Sequence, residues 1–193
     1  MTDRDPLQTL WTSQQQEEFS MSLAEIQSRS TRLQSKVRMR NITEYVAAAI
    51  VIGVFLWSAA TMSLPVARAG AVLIAAAALY VAIALHRKAP AVKWEPDGSE
   101  TLAEFHRGEL LRQRHALSTV WRWYLLPFLP GFLVFNAGIS FAPDNPLPLA
   151  AKLGQFGFMI GLMAAMFAVI AWLNHKAAKK LDAEIADLDA ARK

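Results

Sequence analysis

Side chains that could carry out acid–base chemistry or bind a metal are few in this sequence of 193 residues. The four histidines are His86, His106, His115 and His175. One combination could be assembled into an acid–base group: Glu104, His106 and His115. His106 and His115, however, are nine residues apart and do not lie on adjacent turns of a helix. A solvated charged face explains them better. The sequence contains no H-E-x-x-H, P-loop or G-x-S-x-G motif.

Composition narrows the chemistry further. Cysteine is absent, which excludes disulfides, thiolate zinc sites, iron–sulfur clusters and cysteine nucleophiles. We therefore predict that the chain is not an enzyme and has no catalytic residue, metal site or cofactor. The net charge of +4 is compatible with nucleic-acid binding. Because most basic residues lie beside apolar segments, where membrane topology explains them, we expect no direct contact with nucleic acid.

Polar groups within the long apolar segments are the residues on which transport would depend. Only two stand out, Asn136 and Gln155. No charged residue or histidine lies deep in any apolar segment, whereas a proton- or ion-coupled transporter usually needs one. We predict that Asn136 forms a hydrogen bond between helices rather than binding a substrate.

Small residues recur at helical spacing in the last apolar segment. Gly154, Gly157, Gly161 and Ala165 include a G-x-x-x-G motif and its extension to a fourth small residue. Small side chains allow helix backbones to approach closely in lipid. The motif is explained either by packing within one helical bundle or by self-association of the chain as a homo-oligomer.

Apolar and charged residues are segregated along the chain, which is 54% hydrophobic with a mean hydropathy of +0.24. Uncharged stretches of roughly 17 to 25 residues can cross a bilayer, and they must be helical because lipid offers no hydrogen-bond partners to the backbone. We predict an all-α fold, a four-transmembrane-helix bundle. Its two hairpins cover residues 45–86 and 123–173, with spans at about 45–66, 69–85, 123–142 and 153–173.

Basic residues predict the orientation of the spans. Of the 20 lysines and arginines, all but Arg68 and Lys152 lie in three long segments, 1–44, 87–122 and 174–193. An excess of lysine and arginine marks the cytoplasmic side of a membrane. We therefore predict a multi-pass membrane protein with both termini in the cytoplasm.

The N-terminal segment contains the clearest local pattern, an amphipathic helix at about 22–40. Ser22 and Glu25 have the spacing of a capping box, and an apolar stripe follows, interrupted by Ser30. Two interpretations remain open: the helix lies on an anionic membrane surface, or it packs against another helix. The stripe consists of Leu23, Ile26, Leu33 and Val37, and the basic residues beside it are Arg29, Arg32, Lys36, Arg38 and Arg40.

The C-terminal segment offers that helix a partner. Leu181, Ile185 and Leu188 share one helix face, and four acidic residues follow Lys180. We hypothesise that the acidic tail and the basic N-terminal helix pair as a short coiled coil below the membrane. Between spans two and three, a further helix at about 99–120 is expected to run into span three. Pro127 and Pro130 should kink it there.

Four stretches together resemble a family: residues 10–11, 40–48, 104–110 and 121–127. They are similar to a group of small, uncharacterised multi-pass inner-membrane proteins of proteobacteria, often encoded near extracytoplasmic-function sigma factors. The resemblance covers most of the chain and implies an inner-membrane location and a regulatory link. It carries over no catalytic residue, and the zinc-binding His/Cys pattern of many anti-sigma domains is absent from this sequence.

Two functions follow as expectations. The first is a regulatory or scaffolding membrane protein whose cytoplasmic helices bind a cytoplasmic protein, as three long segments face that side and almost nothing faces the other. The alternative is a small transporter or channel subunit acting as an oligomer, against which the lack of charge within the spans counts. In both cases the lipid bilayer is a partner.

Overall fold

The computed structural model describes residues 22–90 and 101–191, and every regular element in these ranges is helical, as the all-α prediction requires. A five-residue π-helix, Trp121–Leu125, precedes the fourth α-helix. The α-helices are α1 Leu23–Thr61, α2 Pro65–Lys88, α3 Leu102–Ser118, α4 Phe128–Ser140 and α5 Leu149–Ala190.

Four helical segments are long and apolar enough to cross a membrane: α1, α2, the π-helix together with α4, and α5. The chain is therefore a multi-pass membrane protein. With 39 and 42 residues, α1 and α5 are about 60 Å long, roughly twice the thickness of the hydrocarbon core of a bilayer. The amphipathic segments expected at the two ends are thus not separate helices, because each is continuous with a span.

The turn between the first two spans differs from the prediction. Span one was predicted to extend to about residue 66, but α1 ends at Thr61, and Pro65 is the first residue of α2. Proline suits this position, because its missing N–H has no partner in the first turn of a helix. Nε of Arg68 donates to the carbonyl oxygen of Ala59 (3.0 Å), near the end of α1. Span two consequently has 24 residues and is the best buried of the four.

The core of the membrane bundle is formed by α2, which packs against α1 on one side and α4 on the other. Half of its most apolar window is buried, against 6% for α1 and α5. Glycines allow α2 and α4 to approach backbone to backbone: a Cβ added to Gly131 would lie 2.8 Å from the backbone nitrogen of Ile74. Gly70 and Gly138 face the backbones of Phe135 and Ala67 even more closely.

The third span is interrupted at its start, where two prolines predicted a kink. Trp121–Leu125 forms a π-helix, closed by a hydrogen bond from the N–H of Leu126 to the carbonyl oxygen of Trp121 (3.0 Å). A π turn accommodates one extra residue before Pro127, whose ring nitrogen cannot continue the backbone hydrogen bonds. Pro130 lies in the first turn of α4, where no N–H is required.

Replacing Gly138 by valine should destabilise the protein by about 1–3 kcal/mol, because overpacking forces backbones or side chains apart. Unfolding in detergent micelles titrated with a denaturing detergent measures this loss. Gly157→Val is the matched control, since it adds the same side chain to a span at a position with nothing within 4 Å. Equal losses for both variants would contradict the close α2–α4 packing.

Candidate functional site

The candidate site is built by the ends of α1, α3 and α5 outside the spans. The apolar stripe predicted on α1 faces protein: Ile26 and Val37 are buried, and Leu33 packs against the cluster of Leu110 described below. This favours the second of the two interpretations, packing on a helix rather than on lipid. The side chain of Leu23 lies outside the described residues.

Ser22 caps the N-terminus of α1, and its hydroxyl accepts the N–H of Glu25 (3.2 Å). The reciprocal half of the predicted capping box does not form, because the carboxylate of Glu25 instead pairs with Arg29 (2.8 Å). A complete capping box occurs where the sequence analysis did not place one, at the start of α3. There the hydroxyl of Thr101 accepts the backbone N–H of Glu104, and the carboxylate of Glu104 accepts the backbone N–H of Thr101.

Helix α3 is the partner of the C-terminal tail, so the predicted coiled coil between the two ends of the chain is wrong. Leu110 of α3 is fully buried and packs with Ile185 and Leu188, and Leu33 and Leu181 border this cluster. The three helices therefore form an extramembrane bundle with α3 at its centre. Helices α1 and α5 are not closely packed on each other.

Two of the four acidic residues of the tail, Asp182 and Asp189, pair with arginines of α3. Nε of Arg107 donates to Oδ1 of Asp189 (2.7 Å), and Nε of Arg114 lies 2.8 Å from Oδ1 of Asp182. Both pairs are partly exposed, so each contributes little stability on its own. Their consequence is electrostatic: these two carboxylates, expected to face the basic residues of α1, face arginines of α3 instead.

A groove of about 710 Å³ remains between α1 and α5, with residues of α3 at its base. We call it the basic groove. Its interior is lined by apolar side chains, and among the described residues Glu184 is the one carboxylate in the lining. The apolar lining consists of Leu33, Val37, Leu117, Leu173, Ala177 and Leu181, and the basic residues are Arg29, Arg32, Lys36, Arg40 and Lys180.

The positive charge of the basic groove is largely uncompensated. Within the described residues, Arg32, Lys36 and Lys180 form no ion pair, and Arg29 pairs with Glu25 on its own helix. Arg38, predicted with the others, is exposed and does not line the groove. The arrangement combines cations with an apolar surface, which suits an amphipathic anionic ligand.

A polar network closes the groove at the end nearest the membrane. Nη2 of Arg40 donates to Oδ1 of Asn41 (3.1 Å) and to Oε1 of Gln113 (3.2 Å). Nε2 of Gln113 donates to Oε1 of Glu109 (2.9 Å), and Nδ2 of Asn41 donates to the carbonyl oxygen of Ala89 (2.7 Å). Because Asn41, Gln113 and Glu109 are buried, these bonds hold α1, the end of α2 and α3 together.

The hydroxyl of Tyr124, in the π-helix, donates to Oε2 of Glu44 on α1 (2.6 Å). Nε1 of Trp123 donates to the carbonyl oxygen of Ala116 at the end of α3 (3.0 Å). With the network around Arg40 and Gln113, these bonds join α1, α3 and the π-helix.

His106 is an unusual member of the bundle. Its side chain is 1% exposed, and neither ring nitrogen has a hydrogen-bond partner among the described residues. Nε2 lies 3.9 Å from Oε1 of Glu184. Burial lowers the pKa of His106; the nearby Glu184 opposes this shift and the charge of Arg29 adds to it. An imidazole in this setting is held neutral at neutral pH.

Four residues of the site were not predicted from the sequence: Asn41, Gln113, Lys180 and Glu184. A signal for one of them was present in α3: His106, Leu110, Gln113 and Leu117 recur at spacings of three and four, which is one helix face. Polar residues interrupt that face, and this hides it from a search for apolar periodicity.

Two predictions about helix packing in the spans have different outcomes. Asn136 is buried, but its Nδ2 donates to the carbonyl oxygen of Phe132 in the same helix (2.9 Å), not to a neighbouring helix as predicted. A Cβ added to Gly154, Gly157 or Gly161 would have no neighbouring atom within 4 Å, and Ala165 is exposed. The explanation by packing within the chain's own bundle is therefore wrong, and self-association stays a prediction.

Within 22–90 and 101–191, no group of three histidine or carboxylate side chains is placed to hold a metal ion. Comparisons with family models, with curated proteins and with solved structures find no match to the chain.

Replacing Asn41 by alanine should cost about 1–3 kcal/mol of folding free energy, because it leaves buried partners in the network without a hydrogen bond. Thermal unfolding in detergent measures this. Thr43→Ala, two residues away, is the control, since its exposed hydroxyl bonds only to its own helix at Met39. If Asn41→Ala lost no more folding free energy than Thr43→Ala, the network would not be a determinant of the fold.

The protein should become less stable as the pH falls below about 6.5, the ordinary pKa of histidine. The unfolded chain then protonates at His106 before the folded chain does, so the stability present above this pH is lost. We expect His106→Gln to flatten the melting temperature between pH 7 and 5, whereas His115→Gln, at an exposed position, should leave the slope unchanged. An unaltered slope in His106→Gln would refute this assignment.

Proposed function

We propose that the protein is a membrane-anchored regulatory or scaffolding protein that binds a cytoplasmic protein in the basic groove. The observation that carries this proposal is the groove itself, with a strip of uncompensated cations above an apolar surface. The spans supply an anchor and a packing unit, because their contacts are glycine- and alanine-mediated.

The shape of the groove favours a helix as the occupant. Its lining on α1 recurs from Arg29 to Arg40 at spacings of three and four residues, which corresponds to about three helical turns. A helix seated there would lie beside α1 and α5 and complete a four-helix arrangement. Such helix-in-groove recognition needs an apolar face for the groove and flanking groups of complementary charge. We therefore propose an acidic amphipathic helix of the partner.

The distribution of basic residues supports a cytoplasmic position for the groove. The extramembrane bundle belongs to the segments that hold all but two of the 20 lysines and arginines, and such segments stay on the cytoplasmic side. In a bacterial inner membrane, the resemblance to proteins encoded near extracytoplasmic-function sigma factors suggests a sigma-factor-related partner. The chemical requirement, an acidic amphipathic helix, applies to any partner.

Site-specific crosslinking tests the proposal, because the natural chain has no cysteine. Arg32→Cys places a crosslinkable thiol in the groove, and Arg38→Cys places one on the same helix outside it. With a thiol-to-amine crosslinker in intact cells, we expect position 32 to capture a defined cytoplasmic protein and position 38 not to. The purified partner should then bind the purified protein, and Leu181→Lys within the groove should weaken this binding at least tenfold.

Three results would contradict the proposed function. Equal capture at positions 32 and 38 would indicate nonspecific contact, and capture of a protein that does not bind in purified form would indicate proximity alone. Labelling of the Arg32→Cys variant by a membrane-impermeant maleimide in intact spheroplasts would place the groove on the outer side of the membrane.

A further inference from the structure

We propose that the end of the basic groove nearest the membrane is a binding site for an anionic phospholipid of the adjoining leaflet. This site shares Lys36 and Arg40 with the proposed helix-docking groove, but the inference does not depend on that role. The proposal rests on a second cavity that continues from the groove towards the membrane. The polar lining would contact the headgroup of a lipid, and the apolar lining would contact its chains.

The polar half of the site consists of Arg40, Lys36, Lys180 and the amide of Asn174. Arg40 is positioned by its bonds to Asn41 and Gln113, which use Nε and Nη2 and leave Nη1 for a ligand. Lys36 lies one helical turn from Arg40, and both lysines are exposed and without an ion pair among the described residues. Arginine and lysine together match the phosphodiester of a headgroup.

The apolar half is a cavity of about 170 Å³ that shares Arg40, Leu117 and Asn174 with the groove. Its lining continues through Val120 and Ile170, and Ile170 belongs to span four. The cavity therefore runs from the extramembrane bundle to the adjoining end of span four.

The carboxylate that lines this second cavity is already engaged. Glu44 accepts the hydroxyl of Tyr124 (2.6 Å) and lies near Arg40, whose charge it partly offsets. The attraction for a phosphate therefore depends mainly on Lys36 and Lys180, which line the groove without an ion pair among the described residues. Because α1 and α5 are not closely packed on each other, a lipid can enter between them from the bilayer without displacing a helix. Basic pockets between transmembrane helices are established sites for anionic headgroups.

The test uses the purified full-length chain in neutral detergent, titrated with dioleoyl phosphatidylglycerol and followed by native mass spectrometry. Each basic residue near an anionic lipid contributes about fivefold in affinity, so Lys36→Ala combined with Lys180→Ala should weaken binding roughly thirtyfold. The matched control combines Arg38→Ala with Lys179→Ala, which removes the same charge from the same helices outside the groove. We expect this control to bind like the natural chain.

A second pair of variants tests the apolar half without changing charge. Ile170→Trp fills the cavity, whereas Val169→Trp adds the same side chain on the neighbouring exposed face. Each methylene group of a lipid chain that is displaced should cost about fourfold in affinity. We therefore expect weaker phosphatidylglycerol binding for the first variant only.

The proposal is overturned if dioleoyl phosphatidylcholine binds as tightly as phosphatidylglycerol, or if each control variant loses as much affinity as its partner variant. It is also overturned if glycerol 3-phosphate, which has no chains, competes as well as the lipid, since the ligand would then be a soluble phosphate ester. No partner protein is present in these titrations, so their failure is distinguishable from failure of the crosslinking at position 32.

Discussion

The burial of Leu110 between the two ends of the chain is the contact on which the extramembrane architecture depends. Leu110 packs against Ile185 and Leu188 of α5, and Leu33 of α1 borders the same cluster. Without α3 in this place, nothing would keep α1 and α5 apart, and their apolar stripes could cover each other directly. With α3 inserted, each outer helix packs on the central one, and part of both stripes is left lining an open groove.

The same insertion determines where the charges are neutralised. The arginines of α3 take up Asp182 and Asp189 of the tail, so the basic residues of α1 lose the partners that the sequence suggested for them. Uncompensated cations repel one another, and a binding site is where such a cost is repaid by a ligand of opposite charge. Protein and lipid ligands are both compatible with this principle, and the two proposed sites share Lys36 and Arg40.

The spans depend on a different physical rule. Since lipid provides no hydrophobic driving force between helices, close packing of small residues is what brings them together. Opposing backbones lie close to Gly70, Gly131 and Gly138, whereas none lies close to Gly157 or Gly161. The G-x-x-x-G motif in α5 and the glycines of α2 and α4 have the same chemistry, and only the arrangement of the helices distinguishes a used interface from an open one.

The sequence by itself determined the helical class, the approximate positions of the four spans, the apolar stripe of α1 and the interruption near Pro127. These follow from local properties: hydropathy over a span, helical periodicity and the missing N–H of proline. Only the tertiary structure decided that the tail pairs with α3, that Asn41 and Gln113 join one network and that a basic groove remains. Such features depend on which helix lies beside which, and that choice is made by side chains tens of residues apart in sequence, such as Arg40 and Gln113, whose meeting no periodicity encodes.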